Sequence, residues 1–343
     1  MNRQIPRFRY LLLAALLSVS CGARQVVPAP VDPPPPPPPD RTPQAGAPAK
    51  PGTAAEVPPE NPVTRAVGAL PNRDGSLKFL VIGDMGTGDR PQYEVAQQML
   101  NLRANWRYGD ILMVGDNMYG PERPSDYARK FEQPYAALLN DGVKFRASLG
   151  NHDEREQRNY VHFNMNGESY YTWKPRDEDV RFFFLESTYP DPTQLKWIQE
   201  ELKKSTEKWK IAIFHHPPYS SGGRHGSNIP IRRAWEPLFV QHNVSVVFNG
   251  HEHFYERLKP QQGILYFIVG SSGKLSPGDI REGSALTAAG FDRDQAFLAV
   301  EIEDDVMYFQ AISRTGRVVD SGTWTRRFAA DEKREPSLAA SGR

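Results

Sequence analysis

The chain predicts an α/β fold, a four-layer α/β/β/α sandwich of two mixed sheets flanked by helices. Three observations carry this prediction. Short, nearly all-apolar runs alternate with amphipathic helical patterns, the signature of parallel strands covered on both faces. Five of those runs pass directly into loops rich in Gly, Asp, Asn and His. The C-terminal part of the folded stretch reads as strands alone, which adds an antiparallel portion.

The first buried strand is Leu77-Lys78-Phe79-Leu80-Val81-Ile82, running into Gly83-Asp84-Met85-Gly86. Pro91 opens a helix with Val95, Met99 and Leu102 on one face. Residues 111–114 are a second strand, ending in Gly115-Asp116-Asn117-Met118-Tyr119. A helix over 126–139, capped by Ser125, and a strand over 143–149 follow, the latter ending in Gly150-Asn151-His152-Asp153. Aromatic, β-favouring runs at 170–173 and 180–185, with a charged turn between them, read as an antiparallel pair. A helix over 192–202 precedes a strand at 209–214 that ends in His215-His216-Pro217-Pro218. A helix over 231–241, interrupted by Pro237, leads to a strand at 244–248 and the loop Asn249-Gly250-His251-Glu252-His253. Strands at 264–269, 297–302, 306–312 and 318–323 close the chain, with Asp304-Asp305 as a tight hairpin turn.

The ends differ in composition. Arg3, Arg7 and Arg9 precede an apolar run over 10–17, too short to span a bilayer, so residues 1–21 read as an export signal. Cys21 is the only cysteine and lies where a bacterial lipoprotein signal is cut and acylated, although Ser18 stands where such signals usually place Leu. The expectation is a protein exported to the periplasm or outer surface and held at a bacterial membrane only through Cys21. The alternative is an ordinary signal removed together with its cysteine. Residues 22–74, with seven consecutive prolines at 33–39, form a Pro-rich spacer. The folded domain is expected over 75–327, and 328–343 as a flexible tail. A formal net charge of +1 supplies no basic surface to suggest nucleic acid as a partner.

Six of the eight histidines lie in the motif loops: His152, His215, His216, His225, His251 and His253. With Asp84, Asp116 and Asn151 they make a mixed N/O set suited to first-row divalent or trivalent metals, and enough ligands for two ions. Two neighbouring ions need a shared carboxylate, and Asp116, central in the motif order, fits that role. His162 and His242 fall outside the loops and read as surface or satisfied core residues.

The ordered blocks from Asp84-Met85-Gly86 through Gly115-Asp116, Gly150-Asn151-His152-Asp153 and His215 to Gly250-His251-Glu252-His253 resemble the calcineurin-like metallophosphoesterase superfamily. Within it the chain is most similar to the purple acid phosphatases. The discriminating residue is Tyr119, three residues after Asp116, where those enzymes carry a tyrosinate on Fe(III); the string from Gly250 to Arg257 is similar as well.

The resemblance implies Asp84, Tyr119 and His253 on a first metal, usually Fe(III). It places Asn151, His215 and His251 on a second, usually Fe, Zn or Mn, with Asp116 as bridge. If Tyr119 instead plugs the loop against Pro121, a Mn/Mn or Zn/Zn pair is expected. His152 and His225 match residues that contact the phosphate and assist the leaving group, and Asn151 would also touch substrate. His216 orients its loop. The implied activity is hydrolysis of phosphate monoesters by a metal-bound hydroxide on a small phosphorylated substrate. The alternatives are a phosphodiesterase or nucleotidase, or a non-catalytic envelope lipoprotein that keeps the fold as a binding module. Tyr255 and Arg257 support the site, bind the substrate's anion, or form a structural pair.

Overall fold

The computed structural model describes residues 70–326. The export signal, Cys21, the polyproline run and the tail lie outside the described residues. Strand β1 (Leu77–Ile82) shows why the fold has layers. Its Phe79 and Val81 enter one apolar core and its Leu80 and Ile82 another, so both faces are buried, as an uninterrupted apolar run requires.

Helix α1 (Arg90–Arg103) covers the outer face of β1 with Val95 and Met99. Strands β2 (Asp110–Met113) and β3 (Lys144–Ala147) then pair in parallel beside β1. Between them the structure corrects the single helix expected over 126–139. A one-turn α2 (Pro124–Tyr127) passes into a wide π-type turn (Ala128–Glu132), and α3 (Ala136–Asn140) restarts after it. Pro134 is the cause. It has no N–H for the ladder, its ring displaces the carbonyl four residues back, and the Lys130 carbonyl accepts the Gln92 side-chain amide at 2.6 Å instead. The cap differs too: Arg123 precedes Pro124, and the Asp126 carboxylate accepts the Arg123 backbone N–H at 3.1 Å.

The second sheet begins with the antiparallel pair β4 (Tyr171–Trp173) and β5 (Val180–Phe184). Helix α4 (Pro192–Lys204), β6 (Trp209–Ile213), α5 (Ile229–Gln241) and β7 (Val244–Asn249) follow. Helix α5 is not interrupted by Pro237. Proline lies on the exposed face, where the Arg233 carbonyl it frees can meet water, while Ile231, Trp235 and Phe239 pin the other face to the sheet.

Two strands lie beyond the sequence expectation: β8 (Tyr255–Leu258) and β10 (Thr287–Phe291). Strand β9 (Leu265–Val269) pairs with both β7 and β8. Strands β11 (Ala296–Glu303), β12 (Val306–Ser313) and β13 (Val318–Thr325) form a meander that joins β1 antiparallel. The first sheet runs β13-β12-β11-β1-β2-β3 and the second β10-β8-β9-β7-β6-β5-β4. The first is parallel over β1-β2-β3, which reach one edge, and antiparallel over the rest, whereas the second has a parallel centre and antiparallel margins.

The sheets pack face to face through a core that includes Phe79, Leu112, Phe182, Ile211, Phe248, Phe267, Leu298 and Phe309. Phe79 meets Phe182 edge-on at 5.3 Å. Helices α4 and α5 cover the outer face of the second sheet. The result is the expected α/β/β/α sandwich. No helix among the described residues is long and apolar enough to cross a membrane.

Candidate metal centre

Parallel strands deliver all their C-terminal ends to one edge, and loops that follow them must converge there. Asp84 follows β1, Asp116 follows β2, Asn151 follows β3, His215 follows β6, and His251 and His253 follow β7. Three of these sit in the left-handed region without being glycine: Asp84 at φ 53°, Asp116 at φ 50° and His251 at φ 72°. Such backbone is strained for a side-chain-bearing residue and persists only where its surroundings enforce it. Neighbouring glycines do so by leaving room: a Cβ on Gly150 would lie 2.2 Å from Asp116 Oδ1, and one on Gly250 2.5 Å from Asp84 Oδ2.

The side chains form two groups. In the first, the Tyr119 hydroxyl stands 3.1 Å from Asp84 Oδ1, 2.9 Å from Asp116 Oδ2 and 3.1 Å from His253 Nε2. In the second, His215 Nε2 is 3.0 Å from Asn151 Oδ1 and 3.2 Å from His251 Nδ1, and His251 Nδ1 is 2.9 Å from Asn151 Oδ1. Asp116 faces both groups, with Oδ2 toward Tyr119 and Oδ1 at 3.3 Å from His215 Nε2.

These contacts cannot all be hydrogen bonds. His215 Nδ1 lies 3.0 Å from the Val114 carbonyl and must donate to it, which leaves Nε2 a bare lone pair aimed at the amide oxygen of Asn151. Tyr119 has one proton for three acceptors. Acceptors pressed together without donors are what a cation requires, so this donor set fits a pair of metal ions. Asp84, Asp116 and His253 also offer ligand atoms within 4.8 Å of one another.

The electrostatics agree. Burial, then the Asp116 charge, raises the Asp84 carboxyl well above its ordinary range. Asp116 is also buried, yet His215 and the His152 backbone N–H hold it below its ordinary value. Burial, then the two carboxylates, pushes the Tyr119 phenol far up, so only a cation would ionise it. Burial, reinforced for His251 by neighbouring imidazoles, lowers His251 to about 2 and His253 to about 4. Both are therefore neutral at physiological pH, the state that binds metal.

The remaining sequence candidates also gather here. His152 packs its ring 4.9 Å from that of Tyr119 and donates its backbone N–H to Asp116 Oδ1 at 3.0 Å. His225 lies 4.4 Å from the His251 ring. The His216 ring lies tilted against that of His251 at 4.4 Å, and its Nδ1 hydrogen-bonds Ser187 Oγ at 2.9 Å. His162 packs among Phe131 and Tyr160, away from the loops.

Sequence reasoning missed several supporting groups. Glu252 is buried; it accepts Ser220 Oγ at 3.1 Å and Gly226 N–H at 2.6 Å, and presents Oε2 to His225 Nδ1 at 3.4 Å. Asp153 ties two motif loops together through the backbone N–H groups of Gly150, Asn117 and Met118. Both residues stand inside the quoted motif strings, the one signal that could have found them. Tyr255 and Arg257, by contrast, both bind Asp320, at 2.7 and 2.8 Å, and clasp β8 of the second sheet to β13 of the first. They are a structural pair.

Residues 77–255 match the family described as calcineurin-like phosphoesterase. Purple acid phosphatase 5 of Arabidopsis thaliana is 27% identical over 57% of this chain and 48% of its own length. Purple acid phosphatase 17 of the same plant is 26% identical over 60% of this chain and 71% of its own. Among solved structures, GAP50, the anchor in the inner membrane complex of Plasmodium, superposes with a TM-score of 0.62 at 19% identity over 74% of this chain and 89% of its own. The purple acid phosphatase PPD1 of yellow lupin does so at 0.60 and 16% identity, over 76% of this chain and 55% of its own. At such identities these two likenesses show the fold.

Proposed function

The chain belongs to the calcineurin-like phosphoesterase family, and from that premise we propose that it is an exported dimetal hydrolase of phosphate monoesters, purple acid phosphatase-like in its metal centre. The observation that carries this reading is the convergence of unshared acceptors in two groups, with one oxygen of Asp116 turned to each. Asp84, Tyr119 and His253 would hold one ion, Asn151, His215 and His251 the other, and Asp116 both. Held there, such ions would supply an activated water near neutral pH and positive charge for the phosphoryl oxygens.

The protein's own groups do the rest. Asn151 and His152 are exposed at the mouth of the site, on the side a substrate phosphate would enter. Hydrogen bonds from His152 and His225 to the phosphoryl oxygens would strengthen as charge grows there, which lowers the barrier. Glu252 Oε2 fixes Nδ1 of His225 and leaves its other nitrogen to hand a proton to the departing alkoxide. A small phosphorylated molecule is the substrate, and any membrane attachment runs through Cys21.

GAP50 is described as an anchor, so the fold also serves a protein named for attachment rather than hydrolysis. A chain kept only as a binding module has no need of its metal ligands. All seven ligand positions are filled here.

The test is a visible absorption spectrum of the purified chain with elemental analysis for Fe, Mn and Zn, together with rates on p-nitrophenyl phosphate and bis(p-nitrophenyl) phosphate. A broad charge-transfer band that disappears in Tyr119→Phe, with faster monoester cleavage, is the expected result. Two equivalents of Mn or Zn, no band and faster diester cleavage would replace it with a phosphodiesterase.

A further inference from the structure

A groove leads away from the metal centre. Its near part, about 410 Å³, is lined by His253, Arg224, Lys274 and the segment from Leu275 to Asp279. Its far part, about 690 Å³, is lined by Arg281, Arg293 and Arg317 together with Phe291, and Gly278 borders both.

Local hydrogen bonds give this groove a defined wall. Lys274 donates its backbone N–H to the Asp84 carbonyl at 2.9 Å, and Ser276 donates to the His253 carbonyl at 2.9 Å. The opposite loop, which carries Arg224 and His225, is stitched on by Gly223 N–H to the Asp279 carbonyl at 2.8 Å and Arg281 N–H to the Ser221 carbonyl at 3.1 Å. The groove is therefore built on the same loops that hold the metal ligands.

Its charges are arranged for an anion. Lys274 Nζ lies 4.6 Å over the Tyr119 ring, at the metal-centre end. Arg281, Arg293 and Arg317 come from three different segments, all are exposed, and none forms an ion pair with a carboxylate among the described residues. Arg317 rests against the Phe291 ring at 5.7 Å. Three acids line the groove against these cations: Asp292 Oδ2 accepts Gly278 N–H at 2.9 Å, Asp279 Oδ1 accepts Gly223 N–H at 3.1 Å, and Glu282 stands exposed on the wall of the far part. Three guanidiniums without carboxylate partners around one cavity offer forked donors that match phosphate oxygens.

Resting on the phosphoesterase reading, we propose that the substrate carries a second phosphate group, several bonds from the one cleaved. The arginine cavity binds it while Lys274 and Arg224 line the path between. Arg281, Arg293 and Arg317 are thus specificity residues that act through binding alone.

Fructose 6-phosphate and fructose 1,6-bisphosphate differ by one phosphate, and p-nitrophenyl phosphate reports the phosphoesterase itself. On the metal-loaded chain the bisphosphate should show a kcat/KM about tenfold above fructose 6-phosphate, carried by KM. The combined variant Arg281→Ala, Arg293→Ala, Arg317→Ala should erase that difference and leave p-nitrophenyl phosphate turnover unchanged. The triple Lys replacement should restore part of it, because charge returns without the fork. Calorimetric binding of the bisphosphate reads the cavity independently of turnover. Binding that weakens in the Ala variant while p-nitrophenyl phosphate is cleaved by neither protein would keep the cavity and remove the hydrolase reading. Equal bisphosphate affinity in wild type and Ala variant would overturn the arginine cavity, whatever the turnover.

Discussion

Asp84 and Glu301 are both wholly buried carboxylates, on strands or strand ends that pair in the same sheet, and their surroundings are opposite. Glu301 is ringed by donors: Asn72 N–H and Arg73 N–H at 2.8 Å each, Ser76 Oγ at 2.6 Å and Trp106 Nε1 at 2.9 Å. In spite of burial, these donors hold its carboxyl below the ordinary range. Asp84 accepts one backbone N–H, from His251 at 3.0 Å on Oδ2, but its Oδ1 meets a second carboxylate across the Tyr119 hydroxyl and an imidazole that is neutral, and burial raises it. A buried acid whose lone pairs are answered by protein donors is a structural tie, and one whose neighbours are further acceptors awaits a cation.

The widest gap between the two sites should open at Asp116, which turns one oxygen to each group of side chains. Asp116→Ala should abolish metal loading in elemental analysis and lower kcat/KM by more than about a thousandfold, and a fully active variant would sink the metal scheme. Tyr119→Phe should cost about 10–100-fold in affinity at the first ion while the second group stays intact, read by competition with a chelator. Because the phenol stays protonated until a cation arrives, metal uptake at pH 7 by wild type should also release about one proton more than uptake by Tyr119→Phe.

The two acids should answer pH and substitution with opposite signs. Glu301 is depressed in the folded state, so its contribution is present above the unfolded carboxylate range and is lost as pH falls through the folded value. Glu301→Gln should lower stability by about 2 kcal/mol in urea titration, with activity per folded molecule unchanged. Asp84 is raised, so its contribution is complete below the unfolded range and is lost as pH rises through the folded value. Asp84→Asn should therefore raise the Tm of the metal-free protein at pH 7 while removing the stabilisation that metal confers. A lowered Tm would contradict the comparison. The smallest effect falls at Glu252, whose carboxylate meets Ser220, Gly226 and His225 and none of the proposed metal ligands: Glu252→Gln should reduce kcat about tenfold and leave the metal content unchanged.

Much of this was legible in the sequence because it depends on local repetition. Each proposed ligand stands one to five residues beyond an apolar run of the sequence, and such runs mark buried strands. What escaped depends on partners distant in the chain. The Tyr255 and Arg257 side chains meet Asp320 from another sheet, and nothing near position 255 points to position 320. The π-type turn at 128–132 follows from Pro134 together with a Gln92 side chain that arrives from α1. Strand β10 has weak apolar character and is only half-buried at the sheet margin, so its pattern resembles a loop.

The order of apolar runs and polar loops points to a layered α/β arrangement whose five strand ends gather a metal-ligating set of side chains. That order is silent on which lone pairs face one another, on Asp116 turning one oxygen to each group, on Glu252 standing behind His225 and on three arginines from separate segments surrounding one cavity. Those are distances between side chains brought together by packing, and no local pattern encodes them.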